Sequence, residues 1–228
     1  MKKIVVLSGA GISAESGIPT FRASDGLWEG HRIEEVASPE GWHKDKSKVL
    51  DFYNMRRKKL FEVEPNKGHL LVAALEKHYE VTVITQNVDN LHERAGSSNV
   101  LHLHGELMKA RSTSDPDLVY DLDHWEMKLG DTCEEGSQLR PHIVWFGEAV
   151  PLISDAAYLC MKANIMIVVG TSLNVYPAAG LVDYIKEGTP CYVVDPKMPY
   201  VSPRPNLHLI EEIASVGMQK VYNELVGN

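Results

Sequence analysis

The chain has 228 residues, 44% of them hydrophobic and 24% charged, so it is long enough to bury the core of one globular domain. Its 23 basic and 31 acidic side chains give a formal net charge of −8, which argues against a nucleic-acid-binding surface. No apolar run approaches the ~20 residues of a membrane span. Three widely spaced cysteines favour a reducing compartment over a disulfide framework, so we expect a cytoplasmic protein that binds neither nucleic acid nor membranes.

The first apolar run, at residues 4–7, leads into a glycine-rich turn formed by Gly9, Ala10 and Gly11, with Ala14 shortly after. This spacing is close to the dinucleotide fingerprint G-x-G-x-x-(G/A), and it also fits a plain tight turn. A dehydrogenase would carry an acidic residue at the end of a second strand, about 20 residues further on. Here that distance falls in a polar stretch around Trp28 that has no strand pattern, so the turn predicts a phosphate site without a dehydrogenase unit.

Continuous runs of valine, isoleucine and leucine recur along the chain and alternate with helical patterns. Strands that are buried on both faces of a parallel sheet have this composition, so the sequence predicts a doubly wound, Rossmann-like α/β fold. The predicted strands are 3–7, 81–85, 100–104, 143–146, 165–169 and 191–194, and the predicted helices are 70–78, 156–162 and 178–186.

Two stretches depart from this alternation: residues 24–66 are polar and helix-rich, and residues 108–140 are acidic and irregular. Both are typical of insertions that form a small module beside a sheet. We therefore predict a single domain over 1–228. Its Rossmann-like part covers about 1–23, 67–107 and 141–228, and its small helical or irregular module covers about 24–66 and 108–140.

Polar residues lie at or just after the ends of three of the later strands, at the sheet edge where such folds bind ligands. The groups are Gln86, Asn87, Asp89 and Asn90; His102 and His104; and Gly170, Thr171 and Ser172. Helix caps are the alternative for the first and third groups, and partly buried structural histidines for the second. A histidine at a strand end can also serve as an acid or base near neutral pH.

These motifs, taken in order, resemble the sirtuin family of NAD-dependent protein-lysine deacylases, of the bacterial or archaeal type. The resemblance covers nearly the whole chain. It rests on GAGISAESGIPTFR, TQNVDNLHERAG, LHGEL, RPHIVWFGEAVP, GTSLNVYPAAGL and the late Ala214.

The resemblance implies that NAD is consumed, with nicotinamide and O-acyl-ADP-ribose as products. His104 matches the family's base, which acts on the ribose hydroxyls so that one of them attacks an imidate. The substrate is an acylated lysine in an extended protein segment, contacted by Val144, Phe146, Gly147 and Glu148. The implied NAD-binding residues are Gly9, Ala10, Gly11, Ser13, Thr20, Phe21, Arg22, Trp28, Gln86, Asn87, Asp89, Gly170, Thr171, Ser172, Asp195, Pro196, Lys197 and Ala214.

A tyrosine and an arginine in the first insertion bear on the acyl group. Tyr53 and Arg56 share a helix face at spacing i, i+3, which is also typical of an inward tyrosine beside a solvated arginine. They are similar to the Tyr-x-x-Arg pair of the sirtuin branch that removes malonyl, succinyl and glutaryl groups. Ala37 matches a small residue that widens that pocket, and Thr20 agrees with the same branch. The resemblance therefore implies desuccinylation or demalonylation, with acetyl groups also accepted.

The sequence departs from most sirtuins at the structural zinc site. The two Cys-x-x-Cys pairs are replaced by residues 112–115, which have no cysteine, and by 133–136, which have one. Tetrahedral zinc normally needs four Cys or His ligands. His124 and Asp115 are the alternative ligands, but their spacing is irregular, so we expect no structural zinc. The small module would then be held by packing, for example of Leu118, Tyr120, Leu122, Trp125 and Leu129.

Two other functions remain open. The first is an NADase or protein ADP-ribosyltransferase, which would use the same cofactor site. The second is a non-catalytic NAD-sensing module. The sequence does not predict the oligomeric state, the protein substrates or the order of preference among acyl groups.

Overall fold

The fold is that of a computed structural model, in which residues 1–20 and 27–227 are described. Within these residues the strands are β1 (Lys3–Ser8), β2 (Leu27–Trp28), β3 (His31–Arg32), β4 (Glu80–Thr85), β5 (Val100–His102), β6 (Gly105–Ser112), β7 (Val119–Asp121), β8 (Leu139–Ile143), β9 (Ile165–Val169), β10 (Cys191–Val194) and β11 (Leu207–Ile210). The α-helices are α1 (Ala10–Ala14), α2 (Ile33–Val36), α3 (Pro39–Lys44), α4 (Lys46–Phe61), α5 (Lys67–Ala74), α6 (Leu91–Arg94), α7 (Ile153–Lys162) and α8 (Ala214–Val226), and 3₁₀ helices span Leu75–Lys77 and Ala178–Asp183. No helix in the described part of the chain is long and apolar enough to cross a membrane.

The larger part of the protein is built on a parallel sheet, which has six strands within the described residues, in the order β11-β10-β9-β1-β4-β5. Every residue of β9 and β10 is buried, because helices α5 and α8 cover one face while α7 and the second 3₁₀ helix cover the other. The chain runs outward from β1 in both directions, so a crevice opens at the carboxyl ends of β1 and β9. The predicted Rossmann-like α/β fold is therefore confirmed.

The predicted strand at 143–146 is wrong. The strand at that place is β8, which ends at Ile143 and pairs antiparallel with β6 in a separate sheet of order β7-β6-β8. Two other boundaries also differ. The strand predicted at 100–104 ends at His102, and the helix predicted at 178–186 is a 3₁₀ helix that ends at Asp183.

The smaller part combines α2, α3 and α4 with the β7-β6-β8 sheet around its own apolar core. The stretch 108–140, expected to be irregular, contributes β7, most of β6 and the start of β8. Strands β6 and β8 both cross boundaries predicted between the Rossmann-like part and the small module, so that division remains a proposal.

Two polar side chains of α4 hold the loop at 123–130 in place, where the sequence predicted apolar packing of the loop's own side chains. Asn54 donates to the Met127 carbonyl at 2.8 Å and accepts from its N–H at 2.9 Å, and the fully buried Arg57 donates to the Trp125 carbonyl at 2.8 Å. Trp125 and Leu129 are exposed, so the packing predicted for these two residues is wrong. Met127 fills the buried position instead, because the Asn54 side chain holds its backbone in place.

The place of the family's zinc ligands contains hydroxyl groups and one thiol. The Cys133 thiol donates to the Ser112 hydroxyl at 3.4 Å, and a further hydrogen bond joins the hydroxyls of Ser112 and Ser114. In residues 1–20 and 27–227, no three His, Cys, Asp or Glu side chains are grouped as metal ligands would be. This donor set does not fit tetrahedral zinc.

Candidate active site

The glycine-rich turn after β1 packs directly against the end of β9. The Gly9 N–H donates to the Val169 carbonyl at 3.1 Å, and the Gly11 N–H donates to the Gly170 carbonyl at 2.7 Å. A Cβ on Gly11 would lie 2.6 Å from the Gly170 Cα, so only glycine permits this approach. Both amides lie in the turn that is predicted to bind phosphate. Here they join the two turns of the crevice, and Ala10 lies between them as the first residue of α1.

A hydroxyl network joins this turn to the residues after β4. The Ser13 hydroxyl donates to Asp89 Oδ2 at 3.0 Å and accepts from Asn87 Nδ2 at 3.2 Å. Asn87 Nδ2 also donates to the Gly9 carbonyl at 3.1 Å. Burial raises the pKa of the Asp89 carboxyl, while hydrogen bonds from the Leu91 N–H and Ser13 favour its charged form. Three of the predicted NAD-binding side chains, Ser13, Asn87 and Asp89, thus lie in contact around one buried oxygen.

Two buried histidines support this network, and the sequence analysis did not identify either. His69 Nδ1 accepts from the Asn66 N–H at 3.3 Å, so its Nε2–H is the donor to Ser13 at 3.4 Å. His92 packs edge-on against His69, with ring centroids 5.0 Å apart, and its Nε2 lies 2.9 Å from the Ser8 hydroxyl. The sequence signal for His69 is the Asn66-x-x-His69 pattern, in which both side chains cap the start of α5.

His102 and His104 both hydrogen-bond to the segment that follows β4, but their surroundings differ. His104 Nδ1 donates to the Gln86 carbonyl at 3.0 Å, so in the neutral ring Nε2 carries the lone pair. Burial lowers the pKa of His104, and the Gln86 hydrogen bond offsets only part of that effect. His102 donates from Nδ1 to the Asn87 carbonyl at 3.0 Å and from Nε2 to Glu93 at 2.7 Å. Burial lowers the pKa of His102 as well, but Glu93 outweighs it and the net shift is upward.

The remaining predicted NAD-binding residues lie at the same carboxyl edge or near it. Gln86 Nε2 donates to the Thr171 hydroxyl at 3.1 Å, which joins the loop after β4 to the loop after β9. Ser172 is exposed beside Thr171. Asp195, Pro196 and Lys197 follow β10, and the buried Ala214 begins α8. Thr20 is half-buried at the end of the first described stretch, while Phe21 and Arg22 lie outside the described residues.

The predicted acyl-binding residues form a second, aromatic cluster. Tyr53 is fully buried, and its hydroxyl oxygen accepts from Trp145 Nε1 at 3.0 Å. The Arg56 guanidinium lies 4.0 Å from the centroid of the Trp28 ring and donates to Glu29 Oε1 at 2.9 Å. Trp28, predicted to contact NAD, therefore lies beside Arg56. The Asp89 charge also acts on Arg56, so this cluster adjoins the hydroxyl network.

The predicted substrate segment follows directly after β8 and makes backbone hydrogen bonds to neighbouring parts of the chain. The Val144 N–H donates to the His104 carbonyl at 2.9 Å, and the Phe146 N–H donates to the Ala37 carbonyl at 3.0 Å. Gly147 turns the chain with a φ of +89°. The Glu148 carboxylate accepts from both Nη atoms of Arg140, at 2.8 and 3.1 Å.

Comparison with known proteins identifies the family. A model described as the Sir2 family matches residues 9–177, most of the chain. A Helicobacter pylori protein named NAD-dependent protein deacylase is 58% identical, over 99% of this chain and 98% of its own. The chain belongs to the Sir2 family. A Bacteroides thetaiotaomicron protein with the same name is 52% identical, over 99% of each chain.

Solved Sir2 structures share the whole fold. A Sir2 homolog–NAD complex matches with a TM-score of 0.89 at 41% identity, covering 99% of this chain and 90% of that chain. A Sir2 structure with an inhibitor, 2′-O-acetyl-ADP-ribose and a deacetylated p53 peptide matches with a TM-score of 0.79 at 30% identity, covering 99% and 94%. The sirtuin resemblance and the fold inferred from it are therefore confirmed.

Within the Sir2 fold, sequence reasoning missed the residues that support the site. Three features depend on the fold: the packing of the buried His69 against His92, the ion pair between His102 and Glu93, and the contact of Glu29 with Arg56. The site thus combines the neutral imidazole of His104 with the hydrogen-bonded polar groups around Ser13. The buried phenol of Tyr53 and the guanidinium of Arg56 lie in the adjoining cluster. This arrangement suits proton transfer from a sugar hydroxyl and recognition of an anionic group.

Proposed function

We propose that this Sir2 protein removes acyl groups from protein lysines and consumes NAD in doing so. The relatives named NAD-dependent protein deacylases support the proposal, since they match over nearly the full length of both chains. The observation that carries it is the state of His104. Its Nδ1–H is fixed by the Gln86 carbonyl and burial lowers its pKa, so Nε2 is available as a base at neutral pH.

The residues around the crevice fit NAD as the co-substrate. When bound, NAD supplies the nicotinamide leaving group and the ribose carbon that receives the acyl oxygen. Asn87 and Asp89 are held rigidly by Ser13, so their dipoles and charge need little reorganisation as positive charge develops on the sugar. His104 Nε2 then accepts the proton of a ribose hydroxyl. Gln86 and Thr171, hydrogen-bonded across the crevice, would line the ribose and phosphate side.

The substrate would lie as an extended segment along Val144, Phe146 and Gly147. Main-chain pairing of this kind gives affinity with little sequence preference. The resemblance also implies a substrate contact for Glu148. Its carboxylate is engaged by Arg140 and by the Trp145 N–H at 2.8 Å, so we assign it to anchoring this loop.

For the acyl group, Tyr53 and Arg56 support a preference for malonyl and succinyl over acetyl. The Tyr53 oxygen already accepts from Trp145, so its O–H is the part that can donate to a carboxylate. Burial raises the pKa of Tyr53 to about 12, which keeps this proton in place. The Arg56 guanidinium supplies the positive charge that a carboxylate in a buried channel needs.

Nicotinamide release separates the candidate functions. Incubation with NAD should give nicotinamide only when an acyl-lysine peptide is present. Release without peptide would indicate an NADase, and no release would indicate a sensor.

His104→Ala should lower kcat/KM about 100-fold or more, whereas His78→Ala, at an exposed histidine, should change it little. The wild-type kcat/KM should also fall as the pH drops below the folded pKa of His104, because protonation removes the base.

Matched acyl peptides test the acidic preference. Hydrogen bonds to an ion contribute about 1.5–3 kcal/mol, so Arg56→Met should lower kcat/KM for a succinyl-lysine peptide about 10- to 100-fold. The acetyl peptide should change little. Arg32→Met, at an exposed arginine of β3, is the control. Equal losses on both peptides would contradict the role of Arg56.

Three further parts of the proposal concern the setting of the enzyme. The free, buried state of all three cysteines supports a cytoplasmic compartment, which cell fractionation would test. The net charge of −8 supports protein segments rather than nucleic acid or membranes as partners. Metal analysis of the purified protein would contradict the proposed lack of structural zinc if it found about one zinc per chain.

A further inference from the structure

The Arg56 guanidinium already has an anionic partner within the chain. Arg56 is 9% exposed, and its Nη1 donates to the Glu29 carboxylate at 2.9 Å. This is its one ion pair within the part of the chain that the structure describes, because the other groups that act on its charge are Tyr53 and the more distant Asp89. A buried guanidinium without a counter-charge is strongly destabilising, so Glu29 stabilises Arg56 when no acidic substrate is bound.

Glu29 holds this place from a turn that is poorly suited to glutamate. Glu29 and Gly30 form the two-residue loop between β2 and β3, and both have positive φ, of 49° and 80°. Such a loop favours asparagine followed by glycine, because a positive φ strains most other side chains. The loop thus presents an acidic side chain toward Arg56 in a backbone conformation that glutamate does not itself favour.

The bond between Glu29 and Arg56 leaves part of the guanidinium unused. Arg56 Nε is buried and has no hydrogen-bond partner among the described residues. A carboxylate on a guanidinium is held best when it engages two N–H groups at once. The Glu29 side chain is 17% exposed, so it reaches solvent at the edge of the pair.

We propose that the Glu29 carboxylate occupies Arg56 in place of the substrate's acyl carboxylate, and so sets the ratio of acidic-acyl to acetyl turnover. This inference rests on the proposed deacylase function. A malonyl or succinyl carboxylate entering beside Arg56 would place two anions on one buried cation unless Glu29 turns out to solvent. A neutral acetyl group meets no such competition. Glu29 thus weakens binding of acidic acyl-lysines and leaves acetyl-lysine unaffected.

The test compares steady-state kinetics on succinyl- and acetyl-lysine peptides of one sequence at saturating NAD. Glu29→Gln keeps the size of the side chain and removes its charge. It should lower KM for the succinyl peptide about tenfold, the effect of removing one competing ionic hydrogen bond, and change the acetyl KM less than about twofold. Glu29→Asn is neutral and suits the turn, so it should act in the same direction. Glu64→Gln removes the carboxylate from another ion pair, 2.8 Å from Arg94, and should change neither KM.

A double variant shows whether the effect passes through Arg56. In an Arg56→Met background, Glu29→Gln should no longer change the succinyl KM. An unchanged or higher succinyl KM in the single Glu29→Gln variant, or equal shifts on both peptides, would overturn the inference. These outcomes differ from failure of the proposed function, in which the wild type releases no nicotinamide in response to either peptide.

Discussion

The buried His69 should make the stability of this protein sensitive to mild acid. Burial lowers its pKa to about 4, from 6.5 for an ordinary histidine. Its Nδ1 accepts from the Asn66 N–H, so a proton added there would lose that bond and face the same N–H. Below pH 6.5 the unfolded chain binds a proton at this residue that the folded protein binds only near pH 4. The contribution of neutral His69 to the free energy of unfolding is therefore fully present above pH 6.5, and it is lost as the pH falls toward 4.

The size of the effect follows from the two pKa values. Between pH 7.5 and pH 5, linkage predicts that His69 alone lowers the free energy of unfolding by about 2 kcal/mol. For a chain of this length that corresponds to a Tm lower by about 4 to 8 °C. Burial also holds the pKa of His92 well below 6.5, so that residue adds to the loss in the same direction.

Urea unfolding of wild type and His69→Gln at the two pH values isolates this contribution. Glutamine does not titrate, and at the third position of a helix it accepts from the capping residue as His69 does. His69→Gln should therefore lose about 2 kcal/mol less stability than wild type between pH 7.5 and pH 5. His78→Gln, at an exposed position, should lose as much as wild type. Equal losses in His69→Gln and wild type would refute the reasoning.

Three other substitutions, one of them with a matched control, test contacts that hold the site and the small module in place. Glu93→Gln removes the ionic partner that raises the pKa of His102, so that pKa should fall in an NMR titration. Gly105→Ala places a Cβ 2.0 Å from a backbone oxygen at a φ of +81°. It should lower the free energy of unfolding in urea by about 3 kcal/mol or more. Gly188→Ala, which has a positive φ but open space around the Cβ, should lower it by about 1 kcal/mol. Asn54→Ala leaves buried backbone groups of the 123–130 loop unpaired and should cost about 2 kcal/mol, without change in the nicotinamide-release KM.

The central sheet could be predicted from sequence because its strands are buried on both faces. The strands at 165–169 and 191–194 match β9 and β10 in both bounds, since each is an uninterrupted run of apolar residues. Strand β11 was not predicted, because its burial is only partial and its pattern is mixed. The β7-β6-β8 sheet was missed for a related reason. Its strands carry arginine, lysine and serine, and their pairing is set by partners far apart in the chain.

The site was predictable where it consists of motif residues and unpredictable where it depends on the fold. Ser13, Asn87 and Asp89 come together as the carboxyl ends of adjacent strands should. The contact from His69 to Ser13 spans 56 residues, and that from Arg56 to Glu29 spans 27. No local pattern specifies such pairs. Glu29 in particular lies in a turn whose preferred residues would not include it.

The two histidines of the LHLHGEL segment show why residue type alone does not assign a catalytic role. His102 and His104 are two residues apart, and each donates from Nδ1 to a backbone carbonyl after β4. The difference lies at Nε2, where His102 meets Glu93 and is held as a cation. A cation has no lone pair to accept a proton, so His102 cannot act as the base, although it fixes the Asn87 carbonyl. The base function falls to His104, which has no carboxylate partner among the described residues and stays neutral through burial.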